Sequence, residues 1–282
     1  MLLKAFRDSG LIPEPGLDDG VEARQDQFGE LEWARLSHRP LQFISQKRTK
    51  RLLGIGFAVT DFLVAPAGLC SGERMAICSC GALVNLMVVL CDRLIDAGVP
   101  LDCVLPVDEE NDASPVTALL REYRVRLSSL KLSLHGRLLM DQVFTRMTDA
   151  ERRTAQPQAP LAYRFWLRKS ALPFVAMALP ACFSAARDGS RPAGAHMRWL
   201  YAVGRFFGVV DDAADFNEDL ASGAPNYWQR WNDGLHGHIA LRVAGWGQKI
   251  LAYWDNLVRD TDHQHAVRAI FLHHAWRWLG PA

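Results

Sequence analysis

The chain has 282 residues, a formal net charge of +1, 49% hydrophobic and 22% charged residues. That length bounds it to one large domain or two small ones, and it is ample for a sizeable core. The near-neutral balance gives no reason to expect nucleic acid or an anionic membrane as the main partner.

Taken in chain order, residues 1–35 are rich in Gly, Pro and Asp and read as a loosely ordered N-terminal segment. Residues 36–282 read as one helical domain. The apolar spacing predicts helices over about 47–65, 73–97, 114–147, 160–187, 194–220, 226–258 and 262–279. Polar or Pro- and Gly-rich breaks separate them, too short to be domain linkers. Ser114-Pro115 reads as a cap followed by a first-turn proline. With few β-branched alternations, the expected fold class is all-α: a single-domain helical bundle with helices so apolar that several must be buried nearly all round.

Two stretches call for a membrane test. Leu52 to Leu69 is broken by Asp61 and Pro66. Met75 to Cys91 falls just short of a spanning length and contains Asn85. Both are expected to be core helices, so no integral membrane segment is expected; peripheral contact stays open. The start, Met1-Leu2-Leu3-Lys4-Ala5-Phe6-Arg7-Asp8, has no long apolar h-region. The six cysteines are scattered or lie within apolar runs, and read as reduced, mostly buried thiols. The expected location is cytoplasmic.

The chemistry concentrates in three places. Asp211, Asp215 and Asp219 stand at i, i+4 and i+8 after the apolar run Phe206-Phe207-Gly208-Val209-Val210. That spacing stacks them on one helix face, where like charges repel. A cation relieves the repulsion, and hard oxygen ligands in a row suit Mg²⁺, which completes its shell with water and substrate phosphate. The alternative is a solvated acidic face. Asp92 and Asp96 stand one turn apart at the C-terminal end of the run from Met75, with Gly98 and Pro100 closing the helix. Carboxylates there oppose the helix dipole, and a cation would remove that cost. The alternative is a solvated helix end with Arg93 as partner. Arg164, Arg168 and Lys169 form the best basic cluster for substrate phosphates, or else a solvated basic patch. Arg205 lies well off the ladder's face.

Other chemistries lack support. The histidine pairs His236/His238, His263/His265 and His273/His274 do not have the spacing of a zinc hydrolase. Gly54-Ile55-Gly56 lacks the third glycine of a dinucleotide site. There is no Gly-x-Ser-x-Gly elbow and no Gly-Lys-Ser/Thr loop.

Together these motifs resemble the class I isoprenoid synthases, which comprise terpene synthases, trans-prenyltransferases and squalene/phytoene synthases. Gly204 to Asp215 is similar to the second aspartate-rich motif of trans-prenyltransferases, with Gly208 where glutamine is usual. In another register, Asp211, Asp215 and Asp219 match the three metal ligands of terpene synthases, with aspartate departing from the usual residues at the second and third. The continuation from Glu218 through Gly223 to Asn226-Tyr227 resembles squalene/phytoene synthases and the large bacterial terpene synthases. Asp92-x-x-x-Asp96 is similar to the first motif of those groups, and Lys169-Ser170-Ala171 to a diphosphate-contacting Lys-Thr-Ala segment. Arg277-Trp278 is the nearest counterpart of a C-terminal Arg-Tyr. The matches cover about a fifth of the chain, in the superfamily's order.

The resemblance implies the isoprenoid synthase type of bundle, with acidic helices facing each other across an apolar cavity. It implies a Mg²⁺ cluster on Asp92, Asp96, Asp211, Asp215 and Asp219, of which Asp92 and Asp211 are the catalytic candidates. Lys169, with Arg164 or Arg168, would hold the diphosphate of a prenyl diphosphate substrate. The implied activity is a terpene synthase; the alternative is a prenyltransferase joining two substrates or prenylating an acceptor. A homodimer is implied by analogy with the superfamily alone.

Overall fold

Among the described residues the chain is helical almost throughout, and the central helices follow from its long apolar stretches. A computed structural model describes residues 1–13, 17–37, 39–40, 42–104, 114–154, 163–184, 193–223, 226–231, 233–258 and 261–279. The helices are α1 (Leu2–Asp8), α2 (Leu17–Arg35), α3 (Gln46–Val64), α4 (Ser71–Asp96), α5 (Leu101–Val104), α6 (Pro115–Ser128), α7 (Leu134–Thr154), α8 (Tyr163–Phe183), α9 (Ala193–Ala214), α10 (Phe216–Ser222), α11 (His236–Leu257) and α12 (Thr261–Leu279). Among the described residues there is no strand, only an isolated bridge between Leu132 and Ser184. The fold is all-α, and one continuous cluster of buried side chains runs through it, from Leu2 and Phe6 to Phe271 and Ala275.

Several local signals act as expected. The α4 helix ends at Gly98, whose φ of +79° suits glycine. Val99 N–H bonds the Leu94 carbonyl and Gly98 N–H that of Ile95, both at 2.9 Å, which is a Schellman closure. Pro115 opens α6, but the Ser114 hydroxyl does not cap it. It donates instead to the Val104 carbonyl at 3.0 Å and ties α6 to α5.

Other expectations need correction. The N-terminal segment is not loose where it is described: residues 2–8 and 17–35 are the helices α1 and α2, and α2 packs on α3 and α12. The buried positions of α2 include Val21, Gln25, Gly29 and Glu32. A stripe with two polar residues and a glycine does not register as apolar periodicity. Glu32 is tolerated inside because Arg126 (2.5 Å), the Ser79 hydroxyl (2.7 Å) and Arg35 (2.9 Å) all reach it. The helix expected over 114–147 is two, α6 and α7, turning at 129–133. Residues 228–230 and 233–235 form short 3₁₀ turns rather than the start of a long helix.

The Ser71–Asp96 helix exceeds the expected apolar run. By length and composition it could cross a membrane, and it is the one such helix among those described; 67% of its apolar window is buried inside the protein. Asn85 within it donates to the Leu52 carbonyl at 2.7 Å, so its amide is bonded within the core. None of the six cysteines is in a disulfide, and four of them are buried.

The α8 helix packs between α4 on one side and α9 on the other, and this central position brings the chemistry-bearing helices together. The approach to α9 is close because α9 presents Gly204 and Gly208 one turn apart. A Cβ at Gly204 would come within 2.7 Å of the Ala171 backbone, and one at Gly208 would collide with Ser170. Glycine is required here for space rather than for backbone freedom.

Candidate functional site

Because α8 lies between α4 and α9, its Lys169 is delivered to the acidic residues of both. Asp92 from α4, Lys169 from α8 and Asp211 from α9 line one cavity of about 310 Å³. The rest of its wall is largely apolar and includes Val59, Val88, Met177 and the stacked rings of Phe174 and Phe207, whose centroids are 5.2 Å apart. A second, apolar lobe of about 90 Å³ adjoins it under Met87, Leu120, Phe144 and Met147. Val88, Glu151, Lys169 and Pro173 belong to both lobes.

The charges at this junction are coupled. Lys169 Nζ lies 3.2 Å from Glu151 Oε2 and 3.7 Å from Asp92 Oδ1. Burial alone would lower the lysine pKa, but Glu151 and Asp92 together hold it above its usual value, so the ammonium stays charged. Burial raises the Asp92 carboxyl, opposed by Lys169 and reinforced by Asp96. Glu151 is raised in the same way.

Asp211 is pushed up to about 7, first by enclosure among protein atoms, then by Asp215, Asp92 and Asp219; Lys169 pulls the other way. By solvent accessibility the residue is nevertheless exposed. Asp212 is pushed up to about 8 by burial, although the Tyr227 backbone N–H donates to it. The wall thus carries more negative charge than Lys169 neutralises, and a dication or a proton would relieve it.

The aspartate ladder is only partly gathered into the cavity. The α9 helix stops at Ala214 and Asp215 is the N-cap position of α10, yet the backbone keeps helical register: Asp215 N–H bonds the Asp211 carbonyl at 3.0 Å and Asp219 N–H that of Asp215 at 2.9 Å. Asp211 alone of the three lines the cavity. Asp215 is exposed, its pKa raised by partial burial and by Asp219 and Glu218. Asp219 accepts from Asn226 Nδ2 at 2.8 Å, and the same amide donates to the Asp212 carbonyl at 2.6 Å. With Trp228 Nε1 donating to the Val209 carbonyl at 2.9 Å, the 226–228 segment fastens the end of α9.

Asp96 is exposed beyond Asp92 and acts on the cavity through its charge. Arg168 is exposed on α8, and the side chain of Arg164 lies outside the described residues. Arg205 lines a different groove, as its angular offset from the ladder requires. Arg277 pairs with Glu22 at 2.9 Å.

Two cavity residues escaped the sequence. Glu151 sits in the charged last turn of α7, past the expected end of that helix, and resembles any solvated helix terminus. His274 lines the cavity from α12, buried, with its Nε2 taking a hydrogen bond from Gln25 Nε2 at 3.1 Å. Burial, then His273, lowers its pKa to about 3, so it is neutral. The one available signal was its place beside the apolar run Ile270-Phe271-Leu272.

Among the described residues no three acidic, histidine or cysteine side chains converge as a ready-made metal site. An ion here would take one or two wall carboxylates and complete its shell from water or substrate oxygens, which is how Mg²⁺ commonly binds. Comparisons of the chain with protein-family models, curated proteins and solved structures find no match.

Proposed function

We propose that the protein is a Mg²⁺-dependent class I terpene synthase that ionises a linear prenyl diphosphate in the cavity between α4, α8 and α9. One observation carries the reading: Asp92 and Asp211, 119 residues apart in sequence, wall the same largely apolar cavity with Lys169 beside them. An acidic wall with a single ammonium suits a polyanion only if cations accompany it. The apolar remainder suits a hydrocarbon chain.

The donor set fits magnesium whose shell is shared between protein and substrate oxygens. Asp92 and Asp211 would supply carboxylate oxygens from facing helices, with Asp96, Asp215 and Asp219 at the rim. Bound there, Mg²⁺ supplies positive charge that stabilises the departing diphosphate. The chain's own residues do the rest. Lys169 offers its N–H groups to a phosphate oxygen, exchanging part of its pairing with Glu151 and Asp92 for the substrate. The hydrocarbon tail fills the apolar lobe beneath Met87 and Phe144. Phe174 and Phe207 present rings to the space where positive charge develops, and ring faces attract cations. Enclosure excludes water, so that rearrangement competes with quenching.

The test is incubation of the purified protein with Mg²⁺ and, separately, geranyl, farnesyl and geranylgeranyl diphosphate, followed by hexane extraction and mass spectrometry. The expected result is a new hydrocarbon or alcohol from one substrate alone, absent in Asp92→Asn and Asp211→Asn variants whose circular dichroism is unchanged. Products that require isopentenyl diphosphate or a second prenyl substrate would assign a prenyltransferase instead. No diphosphate released in any combination would overturn the reading.

A further inference from the structure

On the opposite flank of α9 from the aspartates, a second recess of about 340 Å³ opens between α9 and α11. Its floor is Trp199 and Ile250, both buried, with Trp199 Nε1 donating to the Ile250 carbonyl at 3.1 Å. Its rim is cationic: Arg205 from α9, Arg242 and Lys249 from α11. Arg242, Trp246 and Lys249 stand at i, i+4 and i+7 and therefore share a helix face. Trp246 collects two guanidinium groups, with Arg242 5.7 Å and Arg205 5.8 Å from its ring centroid.

The acidic residues of these two helices are elsewhere. On α9 they are Asp211 and Asp212, at the cavity end; on α11 the sole carboxylate is Asp255, which pairs with Arg268 at 3.2 Å. Three cations thus converge on one recess with no carboxylate from either helix to balance them. Mutual repulsion makes that arrangement costly by itself, and an anion turns it into attraction. Stacking on an indole preorganises a guanidinium, and two such forks with an ammonium match a tetrahedral dianion better than a single carboxylate. The indole and isoleucine floor adds an apolar surface beside the charge.

We propose that this recess is a binding site for a small organic phosphate monoester, its phosphate held by Arg205, Arg242 and Lys249 and its apolar or aromatic group laid on Trp199 and Ile250. The site is separate from the acidic cavity and does not depend on the function assigned there. It requires no metal.

The test is isothermal titration calorimetry on the full chain in EDTA-containing, low-salt buffer, with phenyl phosphate, inorganic phosphate and phenol as probes. Phenyl phosphate is expected to bind one-to-one with a Kd below about 1 mM. Inorganic phosphate should bind roughly tenfold more weakly for want of the floor contact, and phenol should give no heat. Combined Arg242→Ala and Lys249→Ala substitution should weaken phenyl phosphate at least about tenfold, and added NaCl should weaken it in the wild type. Both side chains are exposed, so the fold should survive; the single Lys249→Glu change gives a second variant, also expected to weaken binding. Asp211→Asn, in the other cavity, should leave the affinity unchanged.

Equal binding by wild type and the Arg242/Lys249 variant would overturn the proposal. So would a loss that follows Asp211→Asn, or equal affinity for phosphate and phenyl phosphate. Response only to vesicles containing phosphatidic acid, with none to the free ester, would assign the recess to a lipid surface and overturn the small-ligand reading.

Discussion

Lys169 sits nearer to Glu151 (3.2 Å) than to Asp92 (3.7 Å), so the cation of α8 is shared between a carboxylate found in neither aspartate motif and one that belongs to the first. The charges of the cavity wall therefore come from four helices, with Asp92 on α4, Glu151 on α7, Lys169 on α8 and Asp211 on α9. Removing the shared member tests it.

Lys169→Met should leave Glu151 and Asp92 facing each other without a cation. Both partners are partly open to solvent, which screens the effect, so the expected stability loss is about 1 kcal/mol in urea unfolding. If the proposed function holds, prenyl diphosphate turnover should fall by roughly 10²-fold, the usual scale for losing one preorganised donor. An unchanged turnover would remove Lys169 from the site.

The Asp211 carboxyl, raised by burial and by Asp215, Asp92 and Asp219, titrates near 7 rather than in the usual range of an aspartate. Between those values the folded chain holds a proton that the unfolded chain has released. Stability from this group is therefore present at low pH, is lost as pH rises towards 7, and stays lost above it. In metal-free buffer at pH 8, Asp211→Asn should stabilise the protein by about 1 kcal/mol after allowance for solvent screening of this exposed residue, and should flatten the slope of stability between pH 5 and pH 7. Thermal unfolding across that range reads the difference; equal slopes for variant and wild type would contradict it.

Gly204→Ala places a methyl group against the Ala171 backbone, which cannot swing aside as a flexible side chain could. Overpacking of this kind costs about 1–3 kcal/mol. Since the same crossing sets Lys169 beside Asp211, activity should fall together with stability. A variant as stable as the wild type would mean that α8 and α9 can separate without penalty.

Arg126→Met removes the one residue that reaches both Glu32 and Glu122, each at 2.5 Å, and leaves Glu32 only the more exposed Arg35 as a cationic partner among the described residues. Leaving these carboxylates inside without it should cost about 3–5 kcal/mol, a large share of the stability of an ordinary domain. Replacing Glu32 with Gln in the same background should recover part of that loss, measurable by chemical denaturation. If the double variant is no better than the single one, burial of the Glu32 charge is not the cause.

Read from the sequence, the all-α class, the Schellman stop at Gly98, the proline start of α6 and the helical register of Asp211, Asp215 and Asp219 were all accessible. Each depends on interactions within a few residues, where periodicity, capping and steric freedom leave a local imprint. The α2 helix was hidden because its inner face carries Gln25, Gly29 and Glu32, whose burial makes sense only once Arg126, Ser79 and His274 are brought alongside from distant segments. Tertiary structure also decided that Asp211 enters the cavity while Asp219 is engaged by Asn226, and that Glu151 and His274 join Asp92 and Lys169. Those choices follow from how closely α8 packs between α4 and α9. Local residue patterns do not encode that separation; it is set by the fit of side chains, and of two glycines, across helices far apart in the chain.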